Sequence, residues 1–318
     1  MSERSRGAQK RLKDPRVAAL RRFAMSITAL TVLGHLVLGF EQAYLTPVVA
    51  VLVAYVLDLG LETLDALGRG RLPKYFGGRK DMLDFLLPAH ITGLACAMLL
   101  FASSRLGPVI FAVTVAIASK YVFRVRVGGK LRHVLNPSNF GIAVTLLAFP
   151  WVGIAPPYEF TERIGGPFDW LVPAAILAAG TMLNAMLTKK IPLIAAWVGG
   201  FAVQAVVRGV IEGTGPASAL LVMSGTAFVL FTNYMITDPG TTPMKPARQA
   251  AFGLVTAAVY GLLVTAHVAF GLFFALVIVC AGRGACLAVL SMRRRTPATV
   301  PSQRVATEIA EPVPAVTP

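Results

Sequence analysis

The sequence predicts an all-α polytopic membrane protein with about ten transmembrane helices. Of its 318 residues, 56% are hydrophobic and only 14% are charged, and the mean hydropathy is +0.69. A soluble globular domain has a charged fraction nearer ~25%. The apolar residues form long continuous runs, whereas an outer-membrane barrel has short alternating segments, so we expect helices that cross a bilayer.

Ten apolar segments approach the ~20 residues that a helix needs to cross the hydrocarbon core. Segments 1 to 10 are residues 24–40, 45–64, 83–102, 106–123, 137–155, 170–187, 191–207, 218–236, 249–267 and 270–290. The predicted membrane domain is 23–292, after a basic segment at 1–22. The tail at 293–318 is rich in Pro, Thr and Ala without periodicity, so we expect it to be disordered and cytoplasmic.

Positive charge alternates along the chain and predicts the orientation of the segments. Lysine and arginine cluster before segment 1 and after segments 2, 4, 6, 8 and 10, whereas the other loops contain only Arg105, Arg163 and Arg208. The positive-inside rule then places both termini in the cytoplasm, and an even number of crossings agrees. This distribution accounts for the net charge of +15 as a topology signal in the cell membrane, so no nucleic-acid partner is expected.

Two polar signatures lie at the predicted cytoplasmic face. Asn136 is suited to the N-cap of segment 5 and Pro137 to its first turn, whereas Asn139 lies one turn inside and should need another buried partner. Segment 8 ends at TDPGTTP, where Asp238 and Thr242 offer oxygens. We expect these side chains to converge in one site, with Asn139 or the start of segment 5 holding Asp238. The site could be a clamp between two halves of the chain or a ligand pocket.

At these signatures the sequence resembles a known family. LNPSNFGIAV is similar to an NPAxxG-type helix start, and MITDPGTTP is similar to the MATDPxTSP-type motif, of the RnfD/NqrB family. LTKKIPLIAAWVGGFAV and PAHITGLACAMLL also resemble that family, over roughly residues 45–290. Its members are membrane subunits of the Rnf ferredoxin:NAD complex and of the sodium-pumping NADH:quinone oxidoreductase. The variants NPSNFG and DPGTTP look most like the UnbU-type integral membrane proteins of enediyne biosynthetic clusters.

The resemblance implies a fold of two inverted five-helix repeats. Segment 3 contains PAHITG, and segment 8, five places later, contains MSGTAF. Such paired interruptions are typical of broken helices near the midplane of inverted repeats, where freed backbone groups can hold a ligand. Alternatively, Gly93 and Gly225 only allow close helix packing. Both interpretations remain open.

The resemblance also implies a flavin. Family members attach FMN by a phosphoester to a threonine in the loop before the sixth helix. Here that loop reads PPYEFTERIGGPFDW, with Thr161 as its single threonine and no Ala-Thr pair, so we expect no covalent FMN. Noncovalent FMN or riboflavin remains open, because a flavin ring needs only an apolar slot with a few donors and acceptors.

Other polar residues within the apolar segments are candidates for a site, since charge is costly there. Asp58 and Glu62 lie on one face of segment 2 and suit a cation or proton path, or else they pair with loop arginines near Arg69. His90 could contact a ligand, relay a proton or be a satisfied core histidine. Arg283 needs a carboxylate, a carbonyl cluster or a ligand, and Asp58 or Glu62 is a candidate partner.

Two functions from different classes remain open. The first is a redox component that supports electron transfer in enediyne antibiotic biosynthesis, with a redox partner or other membrane subunits. The second is a transporter or channel for a small molecule, serving product export or self-resistance. Cys96, Cys280 and Cys286 follow no CxxC spacing, so no metal site is predicted. Whether the chain alone is an enzyme stays undecided.

Overall fold

The computed structural model describes residues 15–127, 130–155, 163, 165, 166 and 170–293. Among them, seven helices are long and apolar enough to cross a membrane, and a pair of shorter helices that meet at a 64° bend would add an eighth crossing. The chain is therefore a multi-pass α-helical membrane protein. Thr161, most of the N-terminal basic segment and nearly all of the predicted tail lie outside the described residues.

The first five helices fall on predicted segments 1 to 5. They are α1 Pro15–Leu33, continued by a π-helical turn at Gly34–Leu38, α2 Leu45–Leu67, α3 Arg79–Leu99, α4 Leu106–Val122 and α5 Pro137–Ala148. The expected end of segment 5 at residue 155 was wrong. Phe149 leaves the helix with φ −125° and ψ 85°. Phe149 precedes Pro150, and a proline disfavours the helical conformation of the residue before it.

The remaining helices fall on segments 6 to 10. They are α6 Leu171–Leu183 with a π-helical turn at Asn184–Thr188, α7 Ile191–Ile211, α8 Pro216–Leu220 with a 3₁₀ turn at Leu221–Ser224, α9 Thr226–Leu230 with a π-helical turn at Phe231–Met235, α10 Pro246–Thr265 and α11 Gly271–Arg293. Segment 8 is thus the bent pair α8 and α9. The pair meets at Gly225, whose backbone is extended.

The expected pair of broken helices is confirmed in only one of its two members. In α3 the helix runs continuously through Pro88. A Cβ on Gly93 would lie 2.9 Å from the carbonyl oxygen of Ala50 in α2, so this glycine serves close packing of α3 against α2. The two interpretations offered for these glycines therefore apply to different helices.

Two small antiparallel sheets join helix ends. β1 Leu100–Phe101 pairs with β4 Gly153–Ile154, and thereby ties the end of α3 to the segment after α5. β2 Arg124–Val127 and β3 Lys130–His133 form a hairpin between α4 and α5 in which Arg124 is opposite His133. Because this register fixes the end of β3, it sets where His133 and the following start of α5 lie.

Helix contacts in the second half of the chain repeat those of the first half with an offset of five segments. In the first half α2 packs on α3 and α4, α1 packs on α3, and α4 packs on α5. In the second half α7 packs on α8 and α10, α6 packs on α9, and α10 packs on α11.

The first helix of each half also ends in the same way. After α1, the amides of Gly39 and Phe40 both donate to the carbonyl of Gly34, and Gly39 is left-handed with φ 86°. After α6, the amides of Lys189 and Lys190 both donate to the carbonyl of Asn184, and Lys189 is left-handed with φ 52°. Both helices therefore end in the same way: the α-helical part is followed by a π-helical turn and then by a left-handed residue.

The contact between α7 and α10 depends on a glycine, which gives a first testable prediction. A Cβ on Gly253 would lie 2.7 Å from the Leu193 carbonyl oxygen and 2.8 Å from the Trp197 amide nitrogen, backbone atoms that cannot rotate away. Gly253→Ala should therefore lower stability by about 1–3 kcal/mol. Gly199→Ala, where the missing Cβ meets open space, should be neutral or slightly stabilising. Thermal unfolding in mild detergent measures both, and equal melting temperatures would contradict the packing argument.

Candidate functional site

Two cavities meet at the basic end, defined as the helix ends at residues 68–78, 123–127, 130–136, 189–190 and 236–245. The apolar cavity has a volume of about 370 Å³ and lies among α1, α3, α6 and α9. The charged chamber has a volume of about 820 Å³ and borders α2, α3, α4 and the β2–β3 hairpin. Pro88, Lys120 and His133 line both. These three residues therefore form the junction between the cavities.

The apolar cavity has one polar end. Its walls carry hydrophobic side chains such as Leu30 of α1, Ile91 of α3 and Ile176 of α6. Its polar end consists of Lys120, His133, Asn136, Ser138, Asp238 and Gly240. The volume falls within the ~300–1,000 Å³ that is typical of small-ligand pockets. An apolar body with a few convergent polar groups is the arrangement that orients such ligands.

The turn after α9 is held by its own carboxylate. Pro239 prevents the helix from continuing, and the Asp238 carboxylate accepts hydrogen bonds from the Gly240 amide at 3.0 Å and the Thr241 hydroxyl at 2.8 Å. The Thr242 hydroxyl donates to the Asp238 carbonyl at 2.5 Å. Asp238 thus forms an Asx turn with Gly240, and Thr242 stabilises the same turn through the Asp238 backbone.

Asn136 links this turn to α5. Its side-chain oxygen accepts from the Asn139 amide at 3.2 Å, which confirms the predicted N-cap. Its side-chain nitrogen donates to the Met235 carbonyl at 2.9 Å. The start of α5 is therefore fastened to the end of the π-helical turn of α9, three residues before Asp238. The two sequence signatures meet at one end of the apolar cavity.

The expected bond from Asn139 to Asp238 was wrong. The Asn139 side chain does have a further buried partner, as predicted, but it donates to the Phe273 carbonyl of α11 at 2.9 Å. The reason is direction: α11 packs against α5, and the Asn139 side chain, one turn inside the helix, points towards it. Of the described residues predicted for this site, Asn136 and Asp238 line the cavity, whereas Asn139, Thr242 and His90 do not.

Three cation-forming side chains surround the turn at residues 238–243. Lys190 is fully buried and donates to the Pro243 carbonyl at 2.6 Å. Arg283 donates to the Thr241 carbonyl at 2.6 Å. The Nε2 atom of His133 lies 3.8 Å from an Asp238 carboxylate oxygen. The turn is therefore fixed by helices α7 and α11 as well as by α5.

Arg283 faces a carbonyl, as one alternative predicted, and the expectation that Asp58 or Glu62 would pair with it was wrong. Both carboxylates form ion pairs with other cations, Asp58 with Lys120 and Glu62 with Arg71 and Lys74. Sequence reasoning also missed Lys190, which it counted as part of a basic loop. One signal was available in the sequence. Lys190 directly precedes α7, whose first turn contains Pro192, and this helix start lies at the same predicted end of the protein as the TDPGTTP turn.

The Asp238 carboxylate stays ionised throughout the physiological range. Burial by itself would raise its pKa, but the neighbouring His133 and the hydrogen bonds from Gly240 and Thr241 outweigh burial and lower the pKa to about 2. Stability gained from this charge is present above pH ~4 and is lost only as the pH falls towards about 2. The polar end of the cavity therefore carries a negative charge at neutral pH beside three potential cations.

Asp58 and Glu62 are fully buried in ion pairs. Asp58 accepts from Lys120 at 2.8 and 2.9 Å and from the Tyr121 hydroxyl at 2.7 Å. Glu62 accepts from Arg71 at 2.6 Å and from Lys74 at 3.0 Å. For Glu62 the alternative of a loop-arginine partner is thus confirmed. A cation or proton path through either carboxylate would require its ion pair to open.

His90 has partners on both ring nitrogens. Nε2 lies 2.8 Å from the Thr28 hydroxyl of α1, and Nδ1 lies 2.9 Å from the Tyr55 hydroxyl of α2. The ring therefore faces α1 and α2, while the following residues Ile91 and Thr92 line the apolar cavity. This geometry is that of a satisfied core histidine which connects three helices.

No protein-family model matches the chain, and no curated protein matches it. The resemblance to the RnfD/NqrB family therefore rests on the sequence signatures alone.

Proposed function

We propose that this protein binds a planar redox-active ring, a flavin or a quinone, noncovalently in the apolar cavity and exchanges electrons with a partner at the basic end. The observation that carries the proposal is the composition of the cavity, which has apolar walls and one polar end where both sequence signatures meet. Apolar walls suit the faces of a ring, and the polar end suits its carbonyl and nitrogen atoms. The bound ring would supply the electron-accepting chemistry.

Two side chains at the polar end have hydrogen-bond capacity left for such a ring. The Lys120 ammonium group has three protons. It donates to the two Asp58 oxygens, so one proton is left for a ligand. His133 stands 3.8 Å from Asp238, beyond hydrogen-bond length, so its ring can turn to a ligand. Asn136 fastens the end of α9 through the Met235 carbonyl, and Thr242 stabilises the turn after α9 through the Asp238 carbonyl.

We further propose that the chain crosses the cell membrane ten times, as two inverted five-helix repeats with both termini in the cytoplasm. The contacts that recur with an offset of five segments support this fold, and so do the matching π-helical turns that end α1 and α6. The basic loops between residues 68 and 245 meet at one end, which supports a common cytoplasmic side.

This topology predicts the location of reporter domains fused to truncated chains. Fusions after Lys190 or Arg248 should report the cytoplasm, and a fusion after Glu212, which follows α7, should report the outside. Paired alkaline phosphatase and fluorescent-protein reporters at each position measure the location. A cytoplasmic signal after Glu212 would contradict the ten-crossing fold.

The resemblance to UnbU-type proteins supports a place for this redox function in enediyne antibiotic biosynthesis. In that role the chain would work with a redox partner or with other membrane subunits, and the exposed cations at the basic end would be its contact surface. Such a surface attracts acidic partners and anionic lipid alike.

A transporter or channel is the second candidate, and the junction between the cavities favours it. Lys120 and His133 line both cavities, so a small molecule could pass from the charged chamber into the apolar cavity beside them. The bend between α8 and α9 gives a point at which one wall could move. Export of a pathway product or self-resistance would use this route.

Purification of the full chain in mild detergent tests the redox proposal. We expect visible flavin absorption or an extractable quinone, released by denaturation and identified by mass spectrometry. The denatured gel band should show no flavin fluorescence, because the loop around Thr161 lacks the attachment pattern. Ala179→Phe, which fills the cavity, should lose the chromophore, and Ala178→Phe, on the neighbouring position outside the lining, should retain it. A wild-type protein without flavin or quinone would contradict the proposal.

A further inference from the structure

The charged chamber next to the apolar cavity is rich in cations. Its described lining contains the lysine and arginine side chains of Arg69, Arg71, Lys74, Lys120, Arg124 and Arg126. It also contains four aspartates, Asp58, Asp65, Asp81 and Asp84. A ligand that entered this chamber would therefore meet more positive than negative side chains, in a space of about 820 Å³.

Ion pairs join aspartates of this chamber to neighbouring cations. Asp65 pairs with Arg69, Arg71 and Arg124. Asp84 pairs with Arg21 of α1 at 2.6 Å, and Asp58 pairs with Lys120. Glu62, behind the lining, pairs with Arg71 and Lys74. With Arg21 and Glu62 counted, seven lysine and arginine side chains face five carboxylates among the described residues, so the potential in the chamber is moderately positive.

Lys120 can bind a ligand while it stays paired with Asp58. Its ammonium group has three protons, two of which donate to the Asp58 oxygens at 2.9 and 2.8 Å, so one proton is left for a ligand. His133 stands at the same junction with its ring nitrogen 3.8 Å from Asp238. The two side chains can thus close on an anionic group from opposite elements, α4 and β3.

We infer that the ligand is an amphiphile with an anionic phosphate or carboxylate headgroup, which Lys120 and His133 bind at the junction while its apolar body fills the apolar cavity. A charged hydrogen bond to each side chain fixes the headgroup, and apolar walls bury the body. The inference rests on the proposed function in placing the ligand in the apolar cavity. It adds that the ligand carries an anionic group besides its apolar body and that Lys120 and His133 bind this group, so a neutral quinone does not fit it.

Photo-crosslinking of the full chain in phosphatidylcholine nanodiscs tests this class. The probe is an alkyl phosphate with a diazirine near the end of its chain, and its neutral partner is the corresponding alkanol. We expect the phosphate probe to label peptides of α1, α3 and α6 that line the apolar cavity. Dodecyl phosphate should compete at least about tenfold better than dodecanol, because the two charged hydrogen bonds replace hydrogen bonds to water and contribute only their net difference.

Variants at the junction separate recognition from folding. Lys120→Met alone would leave Asp58 without its cation, so it is combined with Asp58→Asn, which removes the buried charge. His133→Gln removes the potential cation and keeps a polar side chain. Both variants should lose the roughly tenfold preference for the phosphate, whereas Lys245→Met, an exposed cation of the basic end outside both linings, should keep it. The neutral probe should label all of them equally.

Each outcome has a distinct meaning. Equal competition by dodecyl phosphate and dodecanol would overturn the anionic headgroup and leave the cavity as a ligand site. A preference that persists in both junction variants would overturn the role of Lys120 and His133. Failure of both probes to label the cavity would overturn this inference, while the chromophore experiment tests the proposed function separately. Displacement by phosphatidylglycerol would support a bilayer lipid as the source, and its failure to compete would support a single-chain amphiphile.

Discussion

Lys120→Met is expected to lower the free energy of unfolding by about 3–5 kcal/mol, because it leaves a buried charge without its cation. Asp58 is fully buried and receives both short hydrogen bonds from the Lys120 ammonium group. The Tyr121 hydroxyl that remains can satisfy one lone pair but cannot compensate the charge. Unfolding in sodium dodecyl sulfate, followed by circular dichroism, measures the loss.

The matched controls are a double variant and an exposed ion pair. Combining Lys120→Met with Asp58→Asn removes both charges and should recover most of the stability, since an uncompensated carboxylate no longer exists. Arg69→Met breaks a pair whose arginine side chain is 44% exposed, so it should cost less than about 1 kcal/mol. A Lys120→Met protein as stable as Arg69→Met would mean that Asp58 is protonated or hydrated in the membrane protein.

The positions of the helices could be predicted from the sequence because their causes are local, although α4 and α5, with 17 and 12 residues, are shorter than the crossings predicted for them. An apolar run of the right length predicts a crossing wherever it stands, and Asn136 with Pro137 marks the start of α5 by the chemistry of those two residues. The wrong helix end came from ignoring a local rule, the effect of a proline on the residue before it. Segment 5 was extended past Pro150, which ends α5 at residue 148, because hydropathy alone does not register a proline.

The partners of the polar residues could not be predicted in the same way, because they depend on how distant helices pack. Spacing placed Asp58 and Glu62 on one face of α2, but α4 supplies the cation for Asp58 and the loop after α2 supplies those for Glu62. Arg283 was expected near those carboxylates and instead reaches the Thr241 carbonyl. The helix face on which a polar residue lies was thus easier to predict than its partner.

The candidate site was predicted in part for the same reason. Asn136 and Asp238 were recognised as one location because both follow from motifs at helix ends on one predicted side. Lys120 and His133 carry no motif, since a lysine near a helix end and a histidine in a basic hairpin both resemble topology charges. Only the packing of α4 against β3, and of His133 against the turn after α9, brings them to the junction of the two cavities.

A buried lysine at this site gives the second large effect, which appears as a pH dependence. Lys190 lies between α6 and α7, fully buried, and its ammonium group donates to the Pro243 carbonyl. Burial, helped by the nearby charge of Arg283, lowers the pKa of Lys190 to about 8, although the Asp238 charge opposes that shift. The ordinary value is 10.5.

Raising the pH from about 8 to 10.5 should therefore stabilise the folded protein through Lys190. In this range the unfolded chain still holds the lysine proton that the folded chain has released, so stability rises with pH. The contribution is about 2–4 kcal/mol over the window. Because other groups titrate there too, the measurement compares two variants by unfolding at several pH values. Lys190→Met should lose this part of the slope, and Lys189→Met, an exposed neighbour, should keep it. Identical slopes in the two variants would show that Lys190 is hydrated enough to titrate normally.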